Sequence, residues 1–282
     1  MASVSVTKCQ WTGNDFIILD ARGQPDLPYP ALARTLCRRR FSIGADGLLV
    51  VHDPRDPGAA AALRTFNADG SEAEMCGNGI RCVARYLHEF DHRATEHLIE
   101  TAAGAIRAKM VNWEGGIGVE VEMSVPILPA DISAPGVDSV RIGDELAPAY
   151  EVLVGNPHVV VFTHSDPFAC NLERVATEAI SIRDRGDTNV ELVSVTGGRL
   201  VMRVHERGVG ETWACGTGAC AAAAVAIASQ RLSTPVRVES KGGIVSVAWD
   251  GPGRPAMLAG DAELVFRTQI EVAAEEPSRV AP

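Results

Sequence analysis

Two short elements of the same form stand about half the chain apart: Cys76-Gly77-Asn78-Gly79 and Cys215-Gly216-Thr217-Gly218. In each, a cysteine and small residues lead into a helix-forming run. Such a thiol sits at a helix N-terminus, where open backbone N–H groups favour negative charge and lower its pKa. A thiolate is a competent general base and a neutral thiol a competent acid. Two of them facing one carbon from opposite sides can take a proton from one face and return one to the other, which inverts a stereocentre. The backbone N–H groups of Gly77, Asn78, Gly216 and Thr217 would hold the carboxylate at the reacting carbon, and the glycines leave room for that approach.

The same cysteines admit other uses. Each fits a small buried hydrophobe, or a metal ligand paired with Cys82 or Cys220. Those pairings leave five and four residues between ligands, against about two to four in structural zinc sites. The duplication favours catalysis for Cys76 and Cys215, while Cys9, Cys37, Cys82, Cys170 and Cys220 read as packing residues. Asn14, Asn67, Asn156 and Asn189 all lie in loop contexts. Any one is an ordinary turn residue, but several converging amides can hold an ammonium and a carboxylate together. His158 and Glu206 could adjust thiol protonation, and Arg207 offers a fork for a second carboxylate. A capped loop and a surface ion pair fit the same residues.

To position such groups the chain needs a rigid frame, and its composition supplies one. Hydrophobic residues make up 46% and charged residues 22% of the 282, which suits a folded globular protein of one large or two ordinary domains. The net charge of −10 and the scatter of basic residues argue against nucleic acid or an anionic membrane as partner. The Arg38-Arg39-Arg40 run reads as the solvated end of a helix. No basic segment followed by a long apolar core opens the chain, and the most apolar stretch, Ala219 to Ala228, is too short to span a bilayer. Seven cysteines, an odd number, point to a reducing cytoplasm rather than a disulfide framework. The lysines Lys8, Lys109 and Lys241 stand in no recognisable cofactor loop, and no nucleotide-binding, zinc-protease or nucleophile-elbow motif occurs. The expectation is an enzyme with no cofactor and no metal.

Period-2 alternation predicts strands at Ser3 to Lys8, Ala105 to Val111, Val119 to Met123, Val152 to Val154, Val159 to Phe162, Val190 to Val195, Leu200 to Val204, Val236 to Glu239 and Ile244 to Trp249. A helix follows each Cys-Gly-x-Gly element. The first shows Ile80, Val83, Ala84 and Leu87 on one face; the second, Cys220 to Ser229, is apolar all round and so must be enclosed on every side. Two further helices, Ala31 to Arg40 and Asn171 to Ile180, would cover sheet faces. The fold class is α+β: two pseudo-symmetric domains of antiparallel sheet around a central helix, with the active site in the cleft between them. Pro126 to Pro148 reads as irregular connection with short extended pieces, and residues 273–282 as a flexible tail.

These elements also carry a resemblance. Gly13-Asn14-Asp15-Phe16, Phe66-Asn67-Ala68-Asp69-Gly70, Cys76 to Cys82, Gly155-Asn156-Pro157-His158, Thr188-Asn189-Val190-Glu191 and Glu206 to Thr212 running into Ala214 to Gly218 stand as they do in the diaminopimelate epimerases, which the chain resembles over residues 1 to about 268. The resemblance implies two β-barrels, each closed around a helix: residues 1–118 with a returning strand at about 262–272, and residues 119–261. It implies cofactor-independent interconversion of LL- and meso-diaminopimelate, on the route to lysine and peptidoglycan, by a cytoplasmic homodimer. Cys76 and Cys215 would be the two bases, and His158 and Glu206 would tune them. Asn14, Asn67, Asn156, Asn189, Glu206 and Arg207 would bind substrate beside the backbone of Gly77, Asn78, Gly216 and Thr217.

A proline or hydroxyproline racemase is the rival inside the fold, although Arg207 and the four asparagines would then be superfluous. A metal-binding or redox-sensing protein is the rival outside it, and metal analysis with a free-thiol count discriminates. If one cysteine must be thiolate while the other is thiol, turnover should rise and then fall across neutral to mildly alkaline pH. A pH–rate profile flat through that range would contradict the two-thiol reading.

Overall fold

The structure, a computed structural model, describes residues 2–73, 77–91, 93–129, 132, 138–183 and 188–272. The chain divides into two compact units, one comprising residues up to Val121 together with the chain from Asp261, the other Glu122–Gly260.

The first unit contains β1 (Ala2–Trp11), β2 (Asn14–Asp20), α1 (Tyr29–Leu36), β3 (Gly47–His52), β4 (Ala61–Asn67), β5 (Glu72–Ala73), α2 (Gly77–Phe90), β6 (Glu96–Thr101), β7 (Gly104–Trp113) and β8 (Gly116–Glu122). β1 and β2 form a hairpin across Thr12 and Gly13, both with positive φ, as the twist of a two-residue hairpin requires. β2 then pairs parallel with β3, which α1 makes possible, because parallel neighbours need a crossover. β3 pairs antiparallel with β4, β4 parallel with β6 across α2, and β6, β7 and β8 follow antiparallel.

The second unit repeats that order. It holds β9 (Ser139–Ile142), β10 (Glu145–Val154), β11 (Asn156–Phe162), α3 (Leu172–Arg183), β12 (Asn189–Thr196), β13 (Arg199–Glu206), β14 (Gly210–Thr212), α4 (Gly216–Ala228), β15 (Val236–Ser240), β16 (Gly243–Ala248) and β17 (Met257–Asp261). From β10 the pairings run antiparallel, parallel across α3, antiparallel, parallel across α4, then antiparallel twice. Finally β18 (Glu263–Val272) lies antiparallel along β1 of the first unit. The class is α+β, as expected, and the pairing is mixed rather than wholly antiparallel, with two parallel pairs in each unit.

Each sheet is covered on both faces. In the first unit Tyr29, Leu32, Ala33 and Leu36 of α1 pack on Leu48, Val50 and Phe66, while α2 contacts β1, β2, β3, β6 and β7. In the second, Leu172, Val175, Ala176 and Ala179 of α3 pack on Val159, Val161, Val190 and Leu192. The alternate residues of β11 and β12, among them His158, Asn189 and Glu191, therefore turn toward α4. Ala219 through Ala226 are all buried, and α4 touches β10, β11, β12, β13, β15 and β16, as its all-round apolarity demands.

Double coverage also accounts for strands that alternation did not reveal. Gly47–His52 and the Phe16–Leu19 part of β2 are continuous apolar runs, buried on both faces, a pattern that periodicity cannot separate from other buried segments. α1 ends at Leu36, short of the expected Arg40, and Gly44 N–H returns to the carbonyl of Leu36. The arginine run is thus not a helix end. Residues 273–282, expected as a tail, lie outside the described residues.

Because α4 is enclosed, Ala222→Leu should strain the packing by about 1–3 kcal/mol and lower Tm by several degrees in a calorimetric scan. An unchanged Tm would mean that the sheet leaves room at that position.

Candidate active site

α4 begins where a polar loop gives way to a run of small apolar residues, and Cys215 stands at its N-cap with extended backbone, φ −132° and ψ 117°. Its Sγ lies 3.4 Å from Thr217 Oγ1. The thiol is buried, and burial pushes its pKa well above the ordinary value. The carboxylates of Glu206 and Glu191 push it further, while the Thr217 hydroxyl and the Gly218 N–H oppose them. The expectation of a lowered pKa at a helix N-terminus is therefore corrected for Cys215. Desolvation and two nearby acids outweigh the open end of the helix, and the group rests as a neutral thiol.

Glu206, at the end of β13, is itself raised by burial, against the hydrogen bond it accepts from Thr212 Oγ1; the charge of Glu191 adds to the rise and His158 opposes it. His158 is buried, with Nδ1 2.8 Å from Glu191 Oε1 and Nε2 3.0 Å from Asn156 Oδ1. Asn189, buried beside them on β12, accepts the backbone N–H of Arg207 at 2.9 Å. Arg207 is exposed on the loop that follows β13.

The first unit carries a second polar constellation. Asn78, in the first turn of α2, donates through Nδ2 to Asn14 Oδ1 at 3.0 Å. Asn14 Nδ2 in turn donates to Asp46 Oδ2 at 2.7 Å. Arg81, wholly buried with its guanidinium 3.3 Å from the Trp11 ring centroid, donates to Asn78 Oδ1 at 2.9 Å. Below them Arg39 bridges Asp15 and Asp46, and Lys8 pairs with Asp15. Burial works to raise Asp15, but hydrogen bonds from Arg39 and Lys8 prevail and hold it at about 2. Arg39 is solvated, as expected, and in addition ties Asp15 to Asp46, the acid that holds Asn14. Asn67 is exposed and bonds within its own loop, to Ser71 Oγ at 2.9 Å. Cys76 lies outside the described residues.

A helix N-terminus with a buried thiol and small residues, set among acids, an imidazole and amides, can bind a carboxylate and pass a proton. The family model of diaminopimelate epimerase matches residues 6–128 and 150–265. The chain belongs to the diaminopimelate epimerase family. A diaminopimelate epimerase of Aromatoleum aromaticum is 39% identical, covering 96% of this chain and 99% of that protein. One from Desulfitobacterium hafniense is 40% identical, covering 94% and 97%. Among solved structures, a phenazine biosynthesis protein of the PhzF family from Bacillus anthracis superposes with a TM-score of 0.73 at 18% identity, covering 96% of this chain and all of that one. A hydroxyproline epimerase from Agrobacterium vitis gives 0.66 at 16%, covering 95% and 92%. These two show a shared fold.

Within this member of the family, sequence reasoning passed over Asp46, Arg81 and Glu191. Arg81 and Glu191 lie inside quoted motifs, yet their burial could not be read there; Asp46, flanked by Ala45 and Gly47, gave no signal at all. Cys82 and Cys220, the metal-ligand alternatives, are wholly buried in their helices. Among the described residues no group of three or more His, Cys, Asp and Glu could hold a metal ion, and no helix is long and apolar enough to cross a membrane.

Since the Glu206 charge raises Cys215, Glu206→Gln should lower that thiol's pKa and speed its alkylation by iodoacetamide at fixed pH near 8. The site of labelling is read by peptide mass spectrometry. An alkylation rate at Cys215 equal to or below wild type would show that the acid does not act on the thiol.

Proposed function

We propose that this chain interconverts LL- and meso-diaminopimelate without a cofactor, Cys76 and Cys215 exchanging the α-proton on opposite faces of the reacting carbon. The observation that carries this reading is Cys215, whose buried thiol stands at the N-cap position of a helix whose first residues, Gly216, Thr217 and Gly218, are all small. In that setting Cys215 is the proton donor, and Cys76 as thiolate is the acceptor; the reverse direction exchanges the roles. The α-carboxylate binds the open N–H groups of Gly216 and Thr217 with those of Gly77 and Asn78, which favour charge that builds up as the proton leaves.

Glu206 and His158 govern the protonation of the thiols in this reading. Asn14, Asn67, Asn156, Asn189 and Arg207, with Glu206, hold the remaining amino and carboxylate groups; the anchoring of Asn14 and Asn78 supports pre-organised binding. Relatives named diaminopimelate epimerase along nearly the whole chain support the substrate, and two carboxylates with two amines suit the many amide groups better than proline would. The reading includes a homodimer in the cytoplasm, for which Phe90, Ile117 and Phe266, exposed around one groove of the first unit, offer an apolar surface.

Incubation with LL-diaminopimelate in deuterium oxide, with chelator and no added cofactor, should give meso product carrying one deuterium at the inverted carbon, read by mass spectrometry. Cys215→Ala should reduce turnover by at least about a thousandfold. Wild-type turnover in that variant, or inversion of proline in preference to diaminopimelate, would end the reading.

A further inference from the structure

Glu191 has no part in the proton exchange described above, yet it lies wholly buried between β12 and α4 of the second unit. Its side chain stands near the start of β12, on the face turned toward α4. A carboxylate in such a place is costly unless paired. Oε1 meets Nδ1 of His158 at 2.8 Å, while Oε2 has no hydrogen-bond partner among the described residues.

The room for this acid comes from α4. A β-carbon at position 218 would stand 3.0 Å from Glu191 Cδ and Cγ and closer still to Oε1. Only glycine therefore lets the carboxylate lie under the first helical turn, three residues from Cys215. The imidazole is clasped from both sides, Glu191 Oε1 at Nδ1 and Asn156 Oδ1 at Nε2, which fixes its plane; a carboxylate can only accept, so Nδ1 must carry a proton to bond it.

We propose that Glu191 is a positioning residue of the epimerase: through the Nδ1 hydrogen bond it fixes the orientation and tautomer of His158, and from beneath Gly218 it places a negative charge behind Cys215. The proposal rests on the epimerase reading above for its catalytic consequence, though not for its geometry. The groups facing Cys215 are Glu206 from β13, Glu191 from β12, and Thr217 with the Gly218 N–H from α4; His158 from β11 faces Glu206 and Glu191. Both acids raise the thiol, but Glu206 also accepts the hydroxyl of Thr212 on β14, so Glu191 is the one whose charge can be removed without breaking that contact.

Glu191→Gln preserves volume and an acceptor, but it removes the charge and allows an amide N–H to face Nδ1, which releases the tautomer. The expected result is a fall in kcat on LL-diaminopimelate of about tenfold or more, with KM within about threefold of wild type. The alkaline limb of the kcat profile should move to lower pH, because Cys215 loses a neighbouring negative charge and ionises sooner. Gly218→Ala, which keeps the acid but displaces it, should reproduce the loss of kcat. A kcat and a pH profile of Glu191→Gln that coincide with wild type overturn the proposal.

Should that variant fail to fold, nitrogen-15 histidine NMR of the wild-type protein decides. The His158 signal, assigned by its absence in His158→Gln, must show a protonated Nδ1 whose proton exchanges slowly with solvent. A bare Nδ1 overturns the proposal. This measurement needs no substrate, so wild-type protein inactive on diaminopimelate would sink the functional reading and leave the tautomer result standing.

Discussion

A helix without a polar face has only its ends to offer for chemistry. α4 is enclosed by six strands, and every residue from Ala219 to Ala226 is buried. Its backbone donors are satisfied along its length and open only at the first turn. Placing Cys215 at that turn puts the thiol at the one point where a buried element still presents unpaired N–H groups. The sheet therefore does more than supply a core. By wrapping the helix it makes the helix start a dry, donor-rich spot that a carboxylate can complete.

Dryness has its own effect on the thiol. A cysteine at an exposed helix start would lean toward thiolate, but here burial, Glu206 and Glu191 all act in the opposite direction. The neutral form suits the proposed role of Cys215 as an acid, in which a substrate carboxylate at the helix end would meet donors rather than a competing sulfur anion. Charge is managed in the first unit by a different arrangement. Asn14 is braced by Asp46, which Arg39 holds, and Arg39 and Lys8 together keep Asp15 ionised down to about pH 2. The Asn14 amide, which the proposed function gives to substrate, is thus backed by a network of ion pairs.

Much of this was legible in the sequence. The duplicated Cys-Gly-x-Gly elements, the helices behind them and the alternating strands gave the α+β class, and the motifs gave the family. Strands buried on both faces were harder: Gly-Leu-Leu-Val-Val-His has no alternation to read, because α1 covers one side and α2 the other. Glu191 was missed for the same reason. In a half-buried strand Val190-Glu191-Leu192 would send the acid to solvent, and only the fold reveals α4 waiting on that side. The ion pairs of Arg39 were missed because its partners, Asp15 and Asp46, are brought to it by strand pairing and a turn rather than by helical spacing. The environment of Cys215 could not be read at all, since desolvation is a property of packing and not of spacing.

The closeness of Glu191 to the backbone of α4 carries an evolutionary consequence. Two positions in separate motifs, one on a strand and one on a helix, occupy a single volume, so neither can change freely while the other stays. A lineage that gained even a methyl group at 218 would have to surrender the acid at 191 first, and one that lost the acid would be released to drift at 218. Paired substitution at these two sites is the trace such a constraint leaves in descendants.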